Sequence, residues 1–306
     1  MQKTLKSVVR FDGVGLHGGQ PVTMTVHPAP AGSGVRFRRT DIRLGNAVVP
    51  ARWDLVDDAR LCTRVVNEAG VSVSTIEHVM AALAGLGIHN ARIDIDGPEV
   101  PILDGSSAPF VQAFLEAGTR QLAAAVTVIE ILAPVRFDQG DAWASLSPAP
   151  RSEMAFHIDF ADQVIGRQDK ALVLNNGTFV RELCDSRTFC RQADVDAMRA
   201  NGLALGGTME NAVVVEGDKV LSPGGLRHRD EAVRHKMLDA LGDLALAGGP
   251  ILGRYTGHRA GHAITNKLLR KLFATPGAFR IRTCDAETAA LLPGVGVRLD
   301  EMPAVA

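Results

Sequence analysis

Residues 123–137 read Ala123-Ala-Ala-Val126-Thr-Val-Ile-Glu-Ile-Leu132-Ala-Pro134-Val135-Arg-Phe137. A stretch of small residues gives way to a β-branched run, then to a proline and a second short run. Strands therefore restart in mid-chain. Working back from this point, Val22–His27 and Val35–Arg38 alternate in polarity and are punctuated by Pro28-Ala-Pro30 and Gly32-Ser-Gly34, while Thr63–Val66, Val71–Val73 and Ala91–Ile95 form further strand runs. Helical spacing covers Thr75–Leu86, and another helix is expected after Pro109, through Phe110, Phe114 and Leu115. Working forward, the order repeats: strands first, then helices at Thr178–Asp185, Asp230–Ala247 and His262–Ala274, then a strand near Phe279–Thr283. Both halves are expected to be α+β with antiparallel pairing and no βαβ alternation. The restart divides the chain into domains 1–125 and 126–306.

A length of 306 residues suits two domains. Hydrophobic residues at 46% and charged residues at 22% exclude a disordered chain. Aromatics at only 5% speak against a base-stacking platform, and 33 Lys plus Arg against 34 Asp plus Glu leave no global field for nucleic acid. No nucleic-acid partner and no obligate protein partner are expected. Cys62, Cys184, Cys190 and Cys284 never approach CxxC spacing, which suits a reduced compartment. The N-terminus has no apolar signal region, and apolar stretches such as Val79–Ile88 fall short of the roughly 18 residues a span needs. The expected location is the cytoplasm.

Gly13-x-Gly15-x-x-Gly18 matches the dinucleotide-binding string, but Gln20-Pro21 and an alternating strand follow where a helix should open. These glycines shape a turn, and His17 within it is a candidate site residue. Ser74-Thr-Ile-Glu-His78 has the S-x-x-E spacing of a capping box at a helix start. On that helix His78 lies opposite the stripe Ile76, Val79, Met80, Leu83, among Ala81, Ala82 and Gly85, where small residues let another element approach.

In Asp230–Ala247 the face Val233, Met237, Ala240, Leu241, Leu244 is apolar, and His235, Lys236, Asp239 and Asp243 gather opposite. His235 and Asp239 stand at i and i+4, the spacing by which one helix offers two ligands to one metal ion. The same spacing also suits an ion pair on a solvated face. Gly257-His-Arg-Ala-Gly-His262 leads into the last apolar helix, its glycines implying a tight approach. Taken together, these segments supply two His and one Asp for a metal, with a spare Glu and a spare His. Three protein ligands plus water is the composition of a catalytic zinc site.

The strings Gly13-Val-Gly-Leu-His-Gly18, Val73-Ser-Thr-Ile-Glu-His78, Pro101-Ile-Leu-Asp-Gly-Ser106, Ser186-Arg-Thr-Phe189, Val233-Arg-His-Lys-Met-Leu-Asp239 and Gly261-His-Ala-Ile-Thr-Asn-Lys267 resemble the UDP-3-O-acyl-N-acetylglucosamine deacetylases, zinc amidases of lipid A synthesis. The likeness runs in order from about residue 3 to about residue 285. It implies two domains of similar topology, each a sheet layer, with helices packed between the two layers and an insert in each domain, near 44–66 and near 190–220. The second insert would form an apolar acyl-chain passage.

The resemblance implies zinc, or Fe2+ in the cell, on His78, His235 and Asp239. It makes Glu77 the general base, His262 the general acid, and Asp243 the partner of His262. Thr188 would bond the oxyanion, and Lys236 would assist at the reacting centre or the diphosphate. Phe189, Arg259, Leu61, Cys62 and His17 would meet the acylated UDP-N-acetylglucosamine substrate. Two positions depart from the family pattern: Cys190 stands where glycine is usual, and Arg259 stands for a lysine, keeping the charge but altering phosphate geometry. The alternatives are a non-catalytic sugar-nucleotide-binding protein and a zinc amidase for another acetylated sugar.

Overall fold

A computed structural model describes residues 1–304. The first half contains β1 (Lys3–Leu5), β2 (Val9–Val14), β3 (Pro21–Pro28), β4 (Val35–Arg39), β5 (Val48–Pro50), a small sheet of β6 (Val56–Asp58), β7 (Arg64–Val66) and β8 (Ser72–Val73), then α1 (Glu77–Gly85), β9 (Ala91–Ile95), α2 (Ala108–Ala117) and β10 (Thr119–Gln121). The second contains β11 (Thr127–Ile131), β12 (Val135–Gln139), β13 (Ala142–Ser147), β14 (Ser152–Asp159), β15 (Arg167–Val173) and α3 (Thr178–Glu182). An excursion follows, formed by β16 (Phe189–Arg191), α4 (Gln192–Ala200), β17 (Val213–Glu216) and β18 (Lys219–Val220). The half closes with α5 (Glu231–Ala245), β19 (Ile251–His258), α6 (His262–Ala274), β20 (Phe279–Thr283) and α7 (Ala286–Ala290).

The first sheet runs β2-β3-β9-β4-β5 and the second contains the run β12-β13-β19-β14-β15. Strand for strand these are the same order, with the same pattern of antiparallel and parallel neighbours. The antiparallel pairs β1–β10 and β11–β20 also correspond, each joining the first strand of its half to a late one. The chain is α+β, built from two domains of similar topology.

The pairing differs from the all-antiparallel expectation. β4 and β9 are parallel, as are β14 and β19. A parallel pair needs a crossover, and each crossover here runs through an excursion and then a helix, α1 or α5. The excursions separate the paired strands so widely in sequence that no local βαβ pattern appears. Val48–Pro50 pairs with β4 as the edge of the first sheet, so the first excursion is the small sheet β6-β7-β8 beyond it.

The inner faces of both sheets and the helices between them share one apolar core, including Met24, Phe37 and Ile93 of the first sheet, Met80, Met237 and Leu268 of the helices, and Leu146 and Tyr255 of the second sheet. α5 packs on β14 and β15, α6 on β12 and β13, and α1 lies along α5. The α1–α5 approach is close because Gly242 meets the backbone of Glu77, where an added Cβ would lie 2.0 Å from the Glu77 carbonyl oxygen. On its other side α1 places Gly85 against the ring of Phe179. Both faces of α1 are therefore covered, as its small residues suggested. The polar face of α5 is buried as well, which overturns the solvated alternative: His235, Asp239 and Asp243 are each 5% exposed or less. Among the described residues no helix is long and apolar enough to cross a membrane.

Candidate active site

The turn into α1 is strained. Thr75 has φ 57°, a left-handed conformation that costs a branched residue energy. It persists because its surroundings hold it: Thr75 Oγ1 donates to buried Glu99, whose carboxylate also accepts from the backbone N–H groups of His17 and Gly18. One carboxylate thus ties the Gly13–Gly18 turn to the start of α1. The capping box does not form. Ser74 Oγ donates to the Pro98 carbonyl, and the Glu77 carboxylate turns away to accept from Thr63 N–H at 3.0 Å.

That release leaves Glu77 and His78 facing α5. His78 Nε2 lies 3.5 Å from Asp239 Oδ1, and His235 Nε2 lies 3.2 Å from the same oxygen. The two rings stand nearly perpendicular with centroids 5.0 Å apart. One ligand atom from each of the three residues falls within 4.8 Å of the others, all in buried side chains. His235 Nδ1 donates to the Ser186 carbonyl at 3.0 Å, which leaves the Nε2 lone pair turned toward the cluster. A ligand histidine is normally fixed in this way. Two imidazoles and a carboxylate fit a divalent transition metal with an open position.

Beside this cluster, His262 Nε2 is 3.9 Å from Glu77 Oε1 and also 3.9 Å from Asp239 Oδ2. Its Nδ1 faces Asp243 Oδ2 at 2.9 Å. Thr63 connects the two carboxylates, giving its N–H to Glu77 and its hydroxyl to Asp243. Lys236 Nζ donates to Asp239 Oδ2 at 2.9 Å. Burial pulls the His262 pKa down, but Asp243 and Glu77 outweigh it and bring the ring up to about 9. Burial raises the Glu77 carboxyl, against the opposing pull of His262 and His78. Burial would also raise Asp239, yet His235 and Lys236 hold it well below the usual carboxylate range.

These groups open onto a cavity of about 650 Å3 lined by Glu77, His78, His235, Lys236, Asp239 and His262 and also by Leu61, Thr188, Phe189, Arg259 and His17. Both ring nitrogens of His17 are buried without a partner. Arg259 enters with φ 50°, its N–H held by the His157 carbonyl. Asp243 lies behind His262. Leu61 lines the cavity, while its neighbour Cys62 lies beside Thr75, where burial pushes the thiol up to about 12. The second excursion lines the cavity with apolar Met198, Ala204, Met209 and Val214 and also with Arg191, Asp194 and Arg199.

A larger cavity, about 1030 Å3, lies toward the C-terminal ends of α1 and α5, lined by residues such as Leu83, Leu244 and Tyr255. It holds none of the three clustered side chains, so size and chemistry part company here. Sequence reasoning missed Thr63, Glu99 and the Ser186 carbonyl. The first two look like ordinary strand and loop residues, and a backbone carbonyl has no side-chain signature.

A family model described as UDP-3-O-acyl N-acetylglycosamine deacetylase matches residues 2–274. A protein of Shewanella frigidimarina named UDP-3-O-acyl-N-acetylglucosamine deacetylase is 46% identical over 289 residues, covering 94% of either chain. One of the same name from Shewanella baltica is 44% identical over 302 residues, covering 97% of this chain and 98% of its own. A match of this length contains both sheets and every side chain of the buried cluster, and the chain belongs to the UDP-3-O-acyl-N-acetylglucosamine deacetylase family.

Proposed function

We propose that this chain hydrolyses the acetamide of UDP-3-O-acyl-N-acetylglucosamine, releasing acetate and the free-amine UDP sugar, a step of lipid A biosynthesis. The observation that carries the reading is the meeting of the His78–His235–Asp239 cluster with Glu77 and His262 at the floor of one cavity. Zinc, or Fe2+ in the cell, held by those three residues would act as a Lewis acid and make a water molecule acidic near neutral pH. Glu77, ionised, takes the proton of the attacking water. The Thr188 hydroxyl donates to the oxyanion as the carbonyl becomes tetrahedral, and Lys236 adds positive charge beside it. His262 protonates the departing nitrogen from Nε2 while Asp243 holds Nδ1. Amines leave poorly unless protonated, so a base and a separate acid are both needed.

Arg259, His17, Phe189 and Leu61 would hold the sugar nucleotide, and the Met198–Val214 wall would receive the acyl chain. We take 1–125 and 126–306 as the two domains, with the site between them. Four free cysteines support a reduced compartment, the cytoplasm, as the place of reaction. The test is acetate release from the acylated UDP sugar, lost on chelation and restored by zinc. Tight binding of the substrate with no acetate under any metal would leave a non-catalytic binding protein instead.

A further inference from the structure

Glu231 is fully buried in the first turn of α5, one turn before His235. Its Oε1 accepts from the backbone N–H of Arg187 at 3.0 Å and from Arg187 Nε at 2.9 Å. Its Oε2 accepts from Arg187 Nη2 at 3.2 Å and from the backbone N–H of Arg227 at 2.7 Å. Arg187, itself buried, spends its remaining reach on the Gly225 carbonyl. Arg227 then bridges to the first half, donating from Nη1 to Asp104 Oδ2 and to the Asp185 carbonyl. Asp104 belongs to the Pro101–Ser106 string, whose next residue, Gly105, accepts from Thr188 N–H at 2.8 Å.

Arg187 sits between two residues that face the site. On one side the Ser186 carbonyl fixes the His235 ring; on the other Thr188 lines the cavity. An ion pair this deep is weak evidence for stability, since apolar residues of similar volume often serve as well. The two groups are instead well suited to orientation, because a planar fork on a carboxylate fixes angle as well as distance. We propose that Arg187 and Glu231 are positioning residues, which clamp the Ser186–Thr188 loop to α5 so that the Ser186 carbonyl aims His235 Nε2 at the metal and Thr188 keeps its place in the cavity. This rests on the metal-centre reading above.

The test uses the full-length protein with Arg187→Lys, which keeps the charge but loses the fork, and Glu231→Gln, which keeps the shape but loses the charge. Zinc affinity by chelator competition and the visible spectrum of the cobalt-loaded protein are read alongside kcat and KM. Both variants should weaken zinc binding by about 10–100-fold, alter the cobalt spectrum and lower kcat, with KM within about twofold. Unchanged affinity and spectrum, with loss only of thermal stability, would overturn the proposal. So would failure of both variants to fold, which would make the pair a support of the fold. His235→Ala separates the two levels. If it binds zinc as tightly as the parent chain, the metal-centre reading is wrong. If it loses zinc while both clamp variants keep it, only the clamp is wrong.

Discussion

In the first half the crossover helix α1 has 9 residues and brings Glu77 and His78 in its first turn. In the second half the equivalent helix α5 has 15 residues and carries His235, Asp239 and Asp243 on successive turns of one face, with Lys236 beside them. Both helices connect parallel strands in sheets of identical order, so the scaffold does not account for the difference. Residue identity does. His235, Asp239 and Asp243 span nine positions, and α1 with its 9 residues would reach as far. After Glu77 and His78, however, the face of α1 that carries them continues with Ala81, Ala82 and Gly85, small residues with nothing to offer a metal or a proton. Duplication of a topology thus supplies two facing helices, and the side chains on their facing turns decide which half holds the chemistry.

The largest expected effect tests whether the halves need the metal to stay together. The two share one apolar core, so removing the ion should abolish activity while leaving the fold. Chelated protein should show native circular dichroism and a cooperative melt. Loss of secondary structure on chelation would mean that the ion is a structural staple between the halves.

The next effect isolates what the shorter helix contributes. Glu77→Gln keeps the side chain's shape and the Thr63 N–H contact but cannot take a proton. A fall in kcat of about 10²–10⁴ is expected, with zinc content unchanged because Glu77 is not one of the clustered ligands. A loss below tenfold would show that the second half supplies the base.

How far these assignments could be read beforehand depends on where the information sits. α6 begins at His262 and β20 spans Phe279–Thr283 as expected, since Gly261 and an uninterrupted apolar stripe are local signals. The start of α1 slipped because Ser74 and Glu77 have capping-box spacing, yet both side chains are claimed by groups distant in sequence, Pro98 and Thr63. The parallel crossovers escaped for a similar reason: β4 meets β9, and β14 meets β19, only after an excursion folds out of the way. His235 and Asp239 were legible from their spacing, but their burial was not, because it is imposed by α1. Thr63 could not be singled out, for its two bonds join carboxylates that come together only in the folded chain.

A smaller effect contrasts the two excursions. The second brings Met198, Ala204, Met209 and Val214 to the cavity, whereas the first brings Leu61 at its mouth. Within the second excursion Leu205 takes no part in the wall: it is 57% exposed and packs beside Gly19. Met198→Glu should raise KM for the acylated substrate roughly tenfold, at about 1.4 kcal/mol per factor of ten, and leave a substrate without the acyl chain nearly unaffected. Equal losses on both substrates would remove the acyl chain from this wall.

The smallest effect on the neutral rate concerns Asp243, where the two halves meet through Thr63. Glu77 must be ionised to act, so it sets the rising limb of the pH–rate profile, and burial holds its carboxyl above its usual value. His262 must be protonated to act, so it sets the falling limb; Asp243 and Glu77 outweigh burial and hold its pKa above the ordinary histidine value, at about 9. Asp243→Asn removes the charge that touches the ring but keeps a side chain of the same shape. The folded protein then loses the proton from His262 more readily, and the falling limb should move to lower pH by about one unit or more. The rising limb should move only slightly, to lower pH, because Glu77 keeps the backbone N–H of Thr63 and Asp243 is the least of the charges that act on it. At pH 7 His262 would remain largely protonated, so the rate there should fall only a few-fold. A profile lowered evenly at every pH, with no displacement of the falling limb, would show that His262 is not the acid. Glu77 would then carry the proton in both directions, and the first half would hold all of the acid–base chemistry.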